Sequence, residues 1–215
     1  PTTSRRGPGS GNSGANGVWG SGVRAMTGRL GVSKDEDSTA ALQEALDTFG
    51  RNDILINNAA IRVPGGTRDI QPRHIDLVYR VDLRAPIMLI RAVVDGMIAR
   101  RFGRIVNITS RSVKSPIPDL GLSNGARTGL TGFVAGLSRQ VAKHNVIVNT
   151  LLPGPFLTAR TEDGLRKRSA MAGQDYETYA KARMAEVPAG RFGDPDEFGK
   201  ACAYLCSAHA SFIVG

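Results

Sequence analysis

At 215 residues, with 41% hydrophobic and 22% charged residues, the chain has the length and make-up of one ordinary globular domain with a substantial core. No run approaches the ~18 apolar residues of a membrane-spanning helix. The arginine-bearing start lacks the apolar stretch of a secretory signal, so neither a membrane protein nor a secreted one is expected. The formal charge of +9 raises the question of nucleic acid. Beyond residue 30, however, the bases are scattered among acids, and the sparse aromatics do not interleave with them as in single-strand binders, so no nucleic-acid partner is expected.

Residues 1–29 stand apart from the rest. They hold eight glycines with serine, asparagine, proline and arginine, and no apolar run long enough for a strand. Such a segment cannot bury enough surface to offset its chain entropy, and it reads as disordered or linker-like. From Leu30 the pattern alternates between helix and strand periods. Leu42, Ala45, Leu46 and Phe49 mark one helix face, preceded by Asp35, Glu36 and Asp37 and closed by Gly50. Ile54-Leu55-Ile56 follows as a short apolar strand. A helical stretch covers residues 72–101, with a possible break near Pro86, and leads into the strand Ile105-Val106-Asn107-Ile108. Another helix is predicted over 122–143, with Leu130, Phe133, Val134, Leu137 and Val141 facing inward, and Val146-Ile147-Val148 is the third strand. Helical patterns near 160–185 and 195–207 precede Phe212-Ile213-Val214, which reads as the start of a last strand. Cys202 and Cys206, four apart on the penultimate of these patterns, read as small buried hydrophobes in a reducing cytoplasm; no disulfide framework and no metal site is expected.

Continuous apolar strands alternating with helices imply an α/β fold with a parallel sheet covered on both faces. Ligands in such sheets bind beyond the carboxyl ends of the strands. That rule points to residues 57–60, 109–110 and 153–158.

Three of these strand ends carry a recognisable pattern. Asn57-Asn58-Ala59-Ala60, the stretch Gly103-Arg104-Ile105-Val106-Asn107-Ile108-Thr109-Ser110, and Asn149-Thr150-Leu151-Leu152-Pro153-Gly154 continuing to Thr158 together resemble, in order and spacing, the short-chain dehydrogenase/reductase family. The resemblance implies a Rossmann-like three-layer parallel sheet over residues 30–215, lacking the N-terminal βαβ unit and the last strand. The family's glycine-rich pyrophosphate turn has no counterpart in residues 1–29: at its spacing Gly11 meets Ala15 and Gly14 meets Val18.

In this family a serine polarises the substrate carbonyl, a tyrosine 13 residues on is the general acid/base, a lysine four later tunes that tyrosine and holds the nicotinamide ribose, and an asparagine anchors a relay water. Here the serine is matched by Ser110. The tyrosine falls on Ser123, the lysine on Arg127 and the asparagine on Asp82, so the Tyr-x-x-x-Lys pair is absent. None of Tyr79, Tyr176, Tyr179 and Tyr204 has a lysine four residues on. The resemblance assigns catalysis to Ser110, Ser123, Arg127 and Asp82. It assigns contact with the cofactor, NAD or NADP, to Asn57, Ala59, Arg127, Pro153, Gly154 and Thr158. It implies a nicotinamide-dependent oxidoreductase acting on a small carbonyl or alcohol, cytoplasmic and homo-oligomeric, with impaired chemistry. A catalytically silent scaffold and a non-functional gene fragment are the other readings.

Overall fold

The computed structural model describes Met26, Gly31 and residues 35–215. The segment 1–29, read above as disordered, therefore lies outside the described residues apart from Met26. Helix α1 (Asp35–Phe49) ends at Gly50, whose φ of 80° is a left-handed stop. Strand β1 (Ile54–Asn57) follows. Helix α2 (Pro72–Tyr79), a π-helical turn (Arg80–Arg84) and helix α3 (Ala85–Ala99) form one nearly continuous rod. The irregularity expected near Pro86 is that π-turn, immediately upstream of the proline, which itself sits in the first turn of α3.

Strand β2 (Gly103–Ile108), helix α4 (Gly121–Val141) and strand β3 (Val146–Leu151) complete the core unit. Helices α5 (Ala159–Met171), α6 (Tyr176–Ala185) and α7 (Pro195–Cys206) follow. The strands pair in parallel in the order β1-β2-β3, with Leu55, Ile105 and Val148 in one row. Central β2 is buried from Gly103 to Asn107, as expected of a strand covered on both faces.

On one face, Ile90, Val93 and Met97 of α3 and Leu130, Val134 and Val141 of α4 pack on Ile105, Val146 and Val148. On the other, Cys202 and Cys206 of α7 pack on Val106. The result is the three-layer α/β/α arrangement that the sequence implied. The start of β2 needs a glycine: a Cβ on Gly103 would lie 2.6–2.8 Å from the Met97 side chain.

Two expectations are corrected. Phe133, placed inward by periodicity, is 40% exposed, because Leu130, Val134 and Val141 already fill the seam. Residues 212–214 form no strand. Their segment is tied to β3 by Asn149 Nδ2 donating to Ile213 O at 2.9 Å and by the Gly215 amide donating to Val148 O at 3.3 Å, too few bonds to make a ladder.

Arg104 is fully buried within β2. Its Nε donates to Ser207 O at 2.9 Å, Nη1 to Gly103 O and Asn145 O at 2.8 and 3.0 Å, and Nη2 to Ser211 Oγ at 3.2 Å. The guanidinium also lies 4.5 Å from the centre of the Phe102 ring. It thereby pins the segment after α7 to the amino end of the sheet, away from the strand ends where ligands are expected. Beside β1, whose Ile54 and Ile56 are 49% and 47% exposed, Phe198, Cys202 and Cys206 line an apolar cleft of about 710 Å³.

Candidate active site

At the carboxyl ends of the strands the sheet becomes polar. Asn57 and Asn107 face each other across β1 and β2, with Asn57 Nδ2 donating to Asn107 Oδ1 at 2.8 Å. One residue past β2, the Thr109 amide donates to Leu151 O at 3.0 Å. Two residues further on, the Arg111 amide donates to Pro153 O at 3.2 Å and ties together the loops that leave β2 and β3.

Three of the four expected catalytic residues meet here. The π-turn carries Asp82 and holds it inward: its side chain is 1% exposed, and Oδ1 accepts the Ile61 amide at 2.8 Å. A π-turn inside a helical rod is a common device at functional sites. From α4, Arg127 brings Nε to 3.6 Å from Asp82 Oδ2 and to 3.1 Å from Ser123 Oγ, one turn earlier on the same face. Its Nη1 donates to Ile108 O at 3.3 Å and to Thr109 O. The arginine thus spans from α4 to the end of β2, with 13% of its side chain exposed.

Burial pushes the Asp82 carboxyl above the usual range, while the Ile61 amide, the Arg127 charge and the Ser123 hydroxyl pull the other way. Burial likewise lowers Arg127; Asp82 raises it and the charge of Arg160 lowers it further. Two buried oxygens, Asp82 Oδ2 and Thr109 Oγ1, have no hydrogen-bond partner among the described residues. Asn57, Ala59, Asp82, Thr109 and Arg127 surround a closed space of about 10 Å³, room for a single water.

The remaining expected residues are distributed around this centre. Ser110 caps the short helical turn after β2, its Oγ accepting the Ser112 amide at 3.1 Å. Asn57 is buried and Ala59 exposed at the end of β1; Pro153 and Gly154 lie on the loop after β3. Thr158 is the N-cap of α5, accepting the Thr161 amide at 3.2 Å. Tyr79 does not take the place of the absent tyrosine. Its hydroxyl lies 2.7 Å from where a Cβ on Gly125 would stand, about 200° around α4 from Ser123.

Ile61 was not singled out from sequence, whereas Thr109 falls among the strand-end residues that were. Ile61 acts through its backbone, which no side-chain pattern reveals. Thr109 lies next to the expected serine, so the rule that ligands sit beyond strand ends does point to it.

A family model described as enoyl-(acyl carrier protein) reductase matches residues 20–215. The 3-oxoacyl-(acyl-carrier-protein) reductase FabG of Vibrio cholerae serotype O1 is 34% identical over 188 residues, 86% of this chain and 72% of the relative. Dehydrogenase/reductase SDR family member 4 of Bos taurus is 33% identical over 189 residues, again 86% of this chain; the chain spans 63% of the bovine protein's length. Among solved structures, that of L-sorbose reductase from Gluconobacter frateurii complexed with NADPH and L-sorbose superposes with a TM-score of 0.84 at 27% identity. The match covers 90% of this chain and 74% of that one.

Proposed function

Since the chain belongs to the short-chain dehydrogenase/reductase family, a family of oxidoreductases, we propose that it transfers hydride between a nicotinamide cofactor, NAD or NADP, and a small carbonyl or alcohol, with a serine–arginine–aspartate centre in place of the tyrosine–lysine pair. The observation that carries this reading is the convergence of Asp82, Ser123 and Arg127 on the carboxyl ends of the parallel strands. The NADPH bound by the sorbose reductase supports the choice of cofactor class.

The residues present fit the nicotinamide end of such a cofactor. Asn58, Ala59 and Ala60 form an exposed shelf of small side chains after β1, and the buried Thr109 Oγ1 beside them lacks a partner. Asn57, Ala59, Arg127, Pro153, Gly154 and Thr158 are the residues proposed to hold it. The cofactor supplies or accepts the hydride; the chain must handle the proton and the charge.

Ser123 is placed to do part of this. Its oxygen accepts a hydrogen bond from the Arg127 cation, which draws electron density from the hydroxyl and makes it a stronger donor, toward Asp82 in the resting site and toward a substrate oxygen when one is bound. Arg127 stabilises the developing alkoxide but cannot itself give up a proton at neutral pH. Asp82, buried and with its carboxyl raised by that burial, lines the water-sized space it shares with Arg127 and Thr109. Ser110 is proposed to orient the carbonyl. Without a phenol of tunable pKa the turnover should fall ~10²–10⁴-fold below that of a tyrosine-bearing site.

We propose the same division of the chain as above, a segment 1–29 and a partial reductase domain over 30–215, and a homo-oligomer in the cytoplasm. No helix of the described residues is long and apolar enough to cross a membrane. The test is calorimetric titration of the full chain with NADPH and NADH, followed by a hydride-transfer assay with Ser123→Ala beside the wild type. Micromolar cofactor binding, with turnover that Ser123→Ala reduces at least tenfold, is the expected result. Folded protein that binds neither cofactor would overturn the reading.

A further inference from the structure

The chain has two cysteines, four residues apart on α7, on the sheet face opposite the helices that carry Asp82 and Arg127. One turn apart, Cys202 and Cys206 share a face of the helix. Both are buried, both pack on Val106, and both line the apolar cleft beside β1 together with Ile54, Ile56, Ile108 and Phe198. Neither is in a disulfide.

The two thiols are hydrogen-bonded to each other. Burial pushes the Cys206 thiol up to about 11; the charge and the hydrogen bond of Cys202 add to the rise, and Arg104 opposes it. Cys206 is therefore protonated at neutral pH and slow toward reagents that need a thiolate.

The helix decides how this pair can be bridged. Residues four apart on a helix hold their Cβ atoms ~5–6 Å from each other, whereas a disulfide needs ~3.5–4.5 Å. A direct S–S bond would pull apart the last turn of α7, which is regular helix from Pro195 to Cys206. One atom inserted between the sulfurs removes the mismatch. That atom has to be soft, because thiol sulfur is a soft ligand. It also has to be content with two protein ligands, because no group of three or more metal-ligating side chains stands among the described residues, so an all-protein zinc site is not built here. Trivalent arsenic carrying one organic group meets both conditions. The adjoining cleft of about 710 Å³ has room for that group; a dry apolar cavity of ~150 Å³ already admits benzene.

The geometry points to Cys202 and Cys206 as a two-thiol site for a trivalent organoarsenical, with arsenic bridging the two sulfurs and its apolar substituent lying in the cleft. With an arsine oxide, two S–H bonds break, two As–S bonds form, and the oxide oxygen leaves with both protons as water. Arsenic stays trivalent, so no oxidant or reductant is needed. The site is independent of the hydride-transfer reading.

The test is mass spectrometry of the full chain under non-denaturing conditions after incubation with equimolar phenylarsine oxide. The expected product is a single adduct per chain that survives a large excess of mercaptoethanol and is reversed by ethanedithiol. Cys202→Ala and Cys206→Ala should each weaken binding ~10²–10⁴-fold, the gain that joining two ligands on one scaffold gives. Inorganic arsenite, which has no group for the cleft, should bind about tenfold less tightly. Diamide, an oxidant that joins thiols, should leave both cysteines of the folded wild type reduced.

An adduct that mercaptoethanol strips, or two adducts per chain, overturns the proposal, because each sulfur would then act alone. A disulfide formed by diamide in the folded chain overturns the spacing argument. Arsenite binding as tightly as phenylarsine oxide overturns the part given to the cleft. An adduct that forms only after urea is added also overturns it, since the thiols would then be a closed core pair. The wild-type measurements decide the matter whether or not either alanine variant folds.

Discussion

Replacing Arg127 by methionine keeps the aliphatic stem and removes every polar interaction the guanidinium makes. Two carbonyls at the end of β2, those of Ile108 and Thr109, lose their arginine donor, and so does Ser123 Oγ. Asp82 is left buried without its cation, with the Ile61 amide still on Oδ1. Removing one member of a buried ion pair typically costs ~3–5 kcal/mol, and for a domain of this size that corresponds to roughly 6–20 °C in Tm.

The loss should depend on pH in a definite direction. Burial already raises the Asp82 carboxyl in the folded protein, and the Arg127 charge opposes that rise. Without it the folded-state value climbs further above the ~3.9 of an unfolded aspartate. A carboxyl raised on folding contributes its stability fully below the unfolded value and loses it as pH rises through the folded one. Urea unfolding of Arg127→Met should therefore show a larger deficit at pH 8 than at pH 4.5, and adding Asp82→Asn should recover much of the difference at pH 8. A deficit below ~1 kcal/mol that is the same at both pH values would refute the pairing of Asp82 with Arg127.

Four further outcomes are expected. Arg104→Met should lower stability by ~3 kcal/mol or more, because it strands the carbonyl of Ser207 and removes a donor from that of Asn145; limited proteolysis should then cut after α7 first. Gly103→Ala should cost about 1–3 kcal/mol in thermal unfolding through its clash with fully buried Met97. Gly125→Ala, which meets only the half-exposed Tyr79 hydroxyl, should cost far less. Glu197 is held down to about 2 by Arg191 and the Asp194 amide, so its contribution is present above ~4.3 and is lost as pH falls toward 2; Glu197→Gln should remove that acid dependence from the unfolding curve.

The strands were legible because each is a short apolar run, and the helices because their apolar residues recur at helical spacing. Periodicity marks a face but not what covers it, which is why Phe133 was placed inward. Asp82, Ser123 and Arg127 could be aligned by resemblance, yet nothing in the linear order shows that they touch. That depends on a π-turn and on a backbone contact from Ile61, 21 residues upstream. Arg104 was invisible for a different reason. An arginine inside a strand pattern looks like an outward position, and its burial depends on carbonyls 41 and 103 residues away.

The π-turn at Arg80–Arg84 also bears on how such a site can be gained or lost. A π-turn holds one residue more than the α-helical turn it replaces. Removing a single codon there would let the rod close into an unbroken α-helix, with α2, α3 and the apolar seam left able to pack. Asp82 would then turn about 100° around the helix axis, away from Arg127. An in-frame deletion is therefore a route by which Asp82 could be disconnected from Arg127 with its side chain intact and the surrounding seam still packed.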